Sequence, residues 1–157
     1  MLLRQSTLSV GCLVLATCLL GCSEKQKPPV LADSVKVTGT VTLDDKPLDG
    51  VLIRFVPTTD KGWHGAAGQT DSAGKYEPYT EVGNDDLRPG IIPGTYVVRL
   101  SRMVKSDGTL VPPNSNEPPM MSGARDSIPN KYNTERSLIK VTIPPSGGTF
   151  DFKLTSK

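Results

Sequence analysis

The chain has 157 residues, with 18 lysines and arginines against 16 acids and a formal net charge of +2. That length allows one domain plus a targeting segment, and the near-neutral balance gives no electrostatic reason to expect nucleic acid or a polybasic membrane contact. A single histidine and three cysteines leave few groups for nucleophilic or metal chemistry.

Arg4 is the only charge ahead of the apolar run at residues 8–20. The run has the length of a secretory h-region and falls short of the roughly 20 apolar residues that cross a bilayer. It ends in Leu19-Leu20-Gly21-Cys22, which resembles the bacterial lipobox. The resemblance implies cleavage between Gly21 and Cys22, acyl groups on Cys22, and loss of residues 1–21 as a lipoprotein signal peptide. Membrane attachment would then run through Cys22. An uncleaved anchor, or a secretory signal with an accidental cysteine, is the alternative. Cys12 and Cys18 lie inside the apolar run, so the processed chain would have neither a free thiol nor a disulfide and would depend on its core for stability. Residues 22–34 read as a polar tether stiffened by Pro28-Pro29. Where the cell has two membranes, the lipobox resemblance implies that Ser23 after the cysteine sorts the chain to the outer membrane or cell surface instead of the inner membrane.

From residue 35 the pattern changes to period two. Val35, Val37, Val41 and Leu43 share one face with Gly39, and Thr38, Thr40 and Thr42 share the other. After a polar turn at residues 44–50, Val51, Ile53 and Phe55 alternate with Leu52, Arg54 and Val56. Such alternation of β-branched residues predicts half-buried strands. Short strands are expected near residues 66–70 and 75–80, separated by a tight turn. There Asp71 can accept from backbone amides two residues on, and Gly74 can take a positive φ. Pro93-Gly94 turns into a strand over residues 95–103 with Tyr96, Val98 and Leu100 inward. Residues 104–136 hold five prolines and no apolar period, which predicts a long irregular insertion. Strands at 137–143 and 149–154, joined by Pro144-Pro145-Ser146-Gly147-Gly148, read as a closing hairpin. The count is seven strands and no helix, which favours an all-β, seven-stranded antiparallel β-sandwich of the prealbumin or immunoglobulin-like kind.

Three ordered patterns carry a family resemblance: residues 37–43 with Lys46-Pro47-Leu48 and Gly50-Val51, residues 70–76, and Pro93-Gly94-Thr95-Tyr96. Together they resemble the carboxypeptidase regulatory-like, or transthyretin-like, domain. Ile128-Pro129-Asn130-Lys131-Tyr132-Asn133 and the strands after it are similar to the end of a bacterial lipoprotein subfamily of such domains. The resemblance implies one β-sandwich over residues 35–157, interrupted by the insertion at 104–136. It implies no activity, because a fold hosts many functions.

The residues themselves offer no catalytic constellation. His64 sits in a turn-rich segment, and no Gly-x-Ser-x-Gly elbow accompanies it. It reads as a loop histidine, with a His64-dependent hydrolase as the remote alternative. Asp44-Asp45 and Asn84-Asp85-Asp86 lack the alternating ligands and the glutamate of a calcium loop and read as solvated turn acids, so no metal or cofactor is expected. Trp63, the only tryptophan, lies beside Gly62 and close to Gly65. It either caps the end of the sandwich or stacks on a sugar ring. Met120-Met121 is an adaptable contact or part of an irregular insertion, and Tyr132 reads as the anchor that returns the insertion to the sandwich. The leading expectation is a non-catalytic, lipid-anchored β-sandwich of the cell envelope, a structural or protein-interaction module and not an enzyme. The alternative is a carbohydrate-binding module using Trp63, so an envelope protein or a glycan is the expected partner.

Overall fold

The computed structural model describes residues 33–59, 65–82, 87–112, 121–134 and 137–157. Gly21, Cys22, Trp63, His64, Asn84-Asp85-Asp86 and Met120 lie outside the described residues.

The described chain is all-β apart from one helical turn. In order the elements are β1 (Val37–Leu43), β2 (Lys46–Pro47), β3 (Leu52–Pro57), β4 (Gly65–Gln69), β5 (Lys75–Tyr76), β6 (Tyr79–Glu81) and β7 (Leu87–Pro89). They continue as β8 (Gly94–Ser101), β9 (Met103–Val104), β10 (Arg125–Asp126), α1 (Asn130–Asn133), β11 (Lys140–Ile143), β12 (Gly148–Thr149) and β13 (Phe152–Leu154). β1 is the hub of a five-stranded sheet with β2, β5, β12 and β13. A six-stranded sheet runs β11-β8-β3-β4-β6-β7, and β9 and β10 form a small ribbon.

The two larger sheets bury one common core. The alternation in β1, β3 and β8 puts Val37 and Val41, Ile53 and Phe55, and Tyr96, Val98 and Leu100 inward. Phe55 is central: its ring centroid lies 6.2 Å from Tyr76, 6.3 Å from Tyr96 and 6.2 Å from Phe152, so it joins both sheets. Tyr96 meets it edge-on, and its buried hydroxyl donates to the Ile92 carbonyl. Aromatic pairs in such geometries add about 0.5–1.5 kcal/mol beyond their buried area.

Local chemistry places the turns. Asp44 and Asp45 both have positive φ, 49° and 63°, the backbone of a two-residue hairpin whose twist matches its strands. That hairpin pairs β1 with the short β2, whereas β3 joins the other sheet. At the next turn the Asp71 carboxylate accepts from the Ala73 and Lys75 amides, each at 2.9 Å, and Gly74 has φ 73°. Residues 75–80 split into β5 and β6, which enter different sheets.

Three expectations from the pattern are corrected here. Segments expected as single strands are cut where the chain changes sheet, so the described residues hold more and shorter strands than seven. Residues 137–143 and 149–154 form no hairpin. β11 pairs with β8, whereas β12 and β13 pair with β1 in the other sheet. That pairing is parallel, so the fold is not wholly antiparallel. The cause is the loop between them. Gly147 takes φ 68° and sits so close to the Lys36 carbonyl that a Cβ there would lie 2.1 Å from its oxygen, and Gly148 donates to the same carbonyl at 3.1 Å. The glycines thus let the chain cross to β1 instead of folding back. Between β12 and β13 the Asp151 carboxylate replaces the strand ladder, accepting from the Thr40 amide and hydroxyl at 2.8 Å each.

The insertion is also more ordered at its ends than its composition suggests. Asp126 accepts from the backbone amides of Arg102 (3.0 Å) and Ile128 (2.8 Å) and from the Asn133 side-chain amide (3.0 Å). Ile128 is buried in the core, and Tyr132 packs against it while its hydroxyl lies 3.2 Å from the Thr155 hydroxyl. Arg102, mostly buried, donates to the Asp49 carbonyl at 2.7 Å and pairs with its carboxylate at 3.0 Å, tying the β2–β3 turn to the foot of β8.

Candidate trough on the outer face of the six-stranded sheet

The strands that turn Ile53, Phe55, Ala66, Val98 and Leu100 inward must turn the intervening residues outward, because successive side chains alternate. Register then places the outward residues side by side. Arg99 on β8 lies opposite Arg54 on β3, Arg54 opposite Ala67 on β4, and Ala67 opposite Tyr79 on β6. One step along, Gly65 lies opposite Glu81, and Glu81 opposite Leu87.

Ala67, outward on β4, is small, whereas its cross-strand neighbours Arg54 and Tyr79 are long. Ala67 therefore sits at the floor of a trough of about 350 Å³, lined by Arg54, Val56 and Arg99 on one side and Glu81 on the other. At the start of β4, buried Gly65 has φ 107°, and a Cβ there would lie 2.2 Å from the Phe55 carbonyl oxygen, so a side chain at that point would disturb β3–β4 pairing. Arg54 and Glu81 are exposed. Among the described residues neither side chain forms a salt bridge or hydrogen bond. Tyr79 and Leu87, 47% and 59% exposed, stand on the Glu81 side. The arrangement offers cationic, anionic and apolar groups within one shallow surface feature. It can hold a ligand, and among the described residues it holds no nucleophile with a base beside it.

Two other clefts are already occupied by structural bonding. One, about 310 Å³, is lined by Thr38, Thr40, Lys75 and Asp151, where the Asp151 carboxylate serves the Thr40 amide. The other, about 340 Å³, lies at the β9–β10 ribbon beside Asp126, which serves the Arg102 and Ile128 amides.

Of the residues singled out from the sequence, Cys22, Trp63 and His64 are outside the described residues. Asp44 and Asp45 are turn residues. Asp44 accepts from the Ser156 amide at 3.0 Å, and that bond holds its carboxyl below the ordinary value. Met121 is exposed. Tyr132 lies under the Lys131 ammonium, 5.0 Å from ring centroid to nitrogen, and its hydrogen bond with Thr155 lowers its phenol pKa. Among the described residues there is no group of three or more histidine, cysteine, aspartate or glutamate side chains placed to hold a metal ion, and no helix is long and apolar enough to cross a membrane. The trough was missed from the sequence. Arg54 and Arg99 each had outward parity in their strands, but nothing local says that β3 and β8 are neighbours.

No family model matches the chain, and no curated protein matches it. Among solved structures it is similar to the major pilin subunit of Bacillus cereus, at 13% identity and a TM-score of 0.37, over 78% of this chain and 29% of the pilin. It is also similar to a 9R-lipoxygenase from Cyanothece, at 19% identity and a TM-score of 0.37, over 85% of this chain and 18% of the lipoxygenase. The chain thus spans less than a third of the length of either protein.

Proposed function

We propose that this chain is a non-catalytic, lipid-anchored β-sandwich of the cell envelope that acts as a structural or protein-interaction module. The observation that carries the interaction reading is the trough, in which the exposed Arg54 and Glu81, not paired with each other, flank the small side chain of Ala67. Leu19-Leu20-Gly21-Cys22 supports anchoring through Cys22, and Ser23 supports the outer membrane or cell surface. A prealbumin-like sandwich of the carboxypeptidase regulatory-like kind is the reading of the fold. Its three motifs fall in order on β1–β2, on the Asp71 turn and at the start of β8.

Two measurements test the proposal. Fatty-acid labelling is expected to mark the wild-type chain and to vanish in Cys22→Ser, leaving an unprocessed precursor. Labelling that persists in the variant overturns the anchor. Chemical crosslinking in intact envelope, followed by capture of the chain, is expected to recover a discrete protein partner, and recovery of none overturns the interaction reading.

A further inference from the structure

We infer that the cleft between the start of β1 and the β6–β7 edge is a binding site for a neutral, hydroxyl-rich glycan. The inference goes beyond the interaction-module reading and makes no use of the trough.

The cleft, about 240 Å³, is lined by Lys36, Val37, Glu77, Pro78, Tyr79 and Pro89. It opens where a ladder ends. β5 pairs with β1 only at Gly39↔Tyr76 and Thr40↔Lys75. Continued by two residues, that register sets Val37 opposite Pro78, which has no N–H to donate. On the far side of β1 the Lys36 and Thr38 carbonyls accept from the Gly148 and Phe150 amides at 3.1 and 2.8 Å. By alternation the Val37 carbonyl points the other way, toward Pro78 and the cleft. Past Pro78 the chain leaves β1 for β6 in the six-stranded sheet.

The side chains around that carbonyl select the class of ligand. Lys36, Glu77 and Tyr79 are all exposed, and among the described residues none of their side chains forms a salt bridge or hydrogen bond. Glu77 and the Val37 carbonyl accept, Lys36 donates, and Tyr79 with Pro78 and Pro89 offers apolar surface. A sugar ring answers each of these, because its rim of hydroxyls both donates and accepts while its C–H faces are apolar and suit an aromatic ring. One cation and one anion leave the cleft without net charge, so a polyanion gains nothing there. An extended peptide added to a sheet edge needs a run of free ladder positions, and a single carbonyl is too short a run. The volume lies below the usual range for drug-sized ligands and suits one ring at a time. Glu77 also lines the neighbouring cleft with Thr38 and Lys75, which gives the rest of the glycan a path along β1.

The test is fluorescence anisotropy of end-labelled cellohexaose, maltohexaose, mannohexaose and chitohexaose, with hexagalacturonate as the acidic comparison. Each is titrated with the full lipidated chain in detergent micelles, with empty micelles subtracted. Saturable binding of at least one neutral hexamer is expected, with an affinity that salt does not change, because no charge on the ligand is screened. Glu77→Ala is expected to weaken it by about tenfold, as for loss of a hydrogen bond to a charged group. Tyr79→Ala is expected to weaken it by about three- to tenfold, and Tyr79→Phe, which keeps the ring, by no more than about twofold. Glu77 is exposed and lies outside the strands, so its variant keeps the inference testable if Tyr79→Ala fails to fold. Lys140→Ala on β11, at the opposite edge of the six-stranded sheet, is expected to shift affinity by no more than about twofold. Binding of no neutral hexamer, tighter binding of hexagalacturonate, no loss in Glu77→Ala, or equal loss in Lys140→Ala overturns the site. The dipeptide phenylalanylalanine, a zwitterion that Lys36 and Glu77 could also clamp, is expected not to compete, and displacement by it overturns the glycan assignment.

Discussion

Replacing Gly39 by alanine puts a methyl group where β1 meets the chain between β12 and β13. A Cβ built at Gly39 lies 1.8 Å from the Phe150 carbonyl oxygen, 2.7 Å from its carbon and 2.8 Å from the Tyr76 ring. Two of these three contacts are backbone, which cannot rotate away. That same carbonyl accepts the Tyr76 hydroxyl at 2.7 Å, and the Phe150 amide donates to Thr38 at 2.8 Å. The strands must therefore part, loosening both bonds and the stacking of Tyr76 on Phe152 at 6.0 Å. Overpacking costs about 1–3 kcal/mol and a buried acceptor left short of its donor about 1–3 more, so Gly39→Ala is expected to lose about 2–6 kcal/mol. For a domain of this size that lowers the melting temperature by about 8–24 °C, read by circular dichroism. Gly108→Ala is the control. Gly108 has φ 88° and nothing within 4 Å of a built Cβ, so it carries only the left-handed backbone penalty of about 1–2 kcal/mol. A Gly39→Ala protein that melts with wild type, or one less affected than Gly108→Ala, refutes the close-approach argument.

Thr70→Val keeps shape but removes the hydroxyl that donates to Leu48 at 2.7 Å and accepts from the Val51 amide at 2.8 Å; with two backbone groups left short, urea unfolding should show a loss of about 2–4 kcal/mol. Asp126→Ala strips the acceptor shared by Arg102, Ile128 and Asn133, and amide exchange should accelerate over residues 125–133 while β1 stays protected. The tyrosines should separate in a titration followed at 295 nm. Burial, reinforced by the Asp151 charge, raises the Tyr76 phenol above its ordinary value, whereas the Thr155 hydrogen bond lowers Tyr132. Tyr132→Phe should therefore remove the first ionisation. Because the folded state keeps the Tyr76 proton after the unfolded chain has lost it, this stabilisation is complete below about pH 10 and disappears as pH rises through the folded value. Full stability well above that range in wild type would contradict the assignment.

Much of this protein is legible without coordinates. Period-two alternation alone says that Val37, Val41, Ile53, Phe55, Tyr96, Val98 and Leu100 are inside, because a strand has only two faces and one must bury its apolar set. The Asp71 and Gly74 turn is equally local, since its hydrogen bonds span only a few residues. What sequence leaves open is which strand lies beside which. A β ladder is made of backbone groups common to every residue, so alternation fixes a strand's face but not its neighbour. For that reason residues 144–148 read as a hairpin turn, although Gly147 and Gly148 carry the chain across to Lys36 and a parallel partner. The trough depends on the same undetermined step. Arg54, Arg99, Ala67 and Glu81 are unremarkable outward residues on four strands, and only the order β8-β3-β4-β6 brings them to one surface.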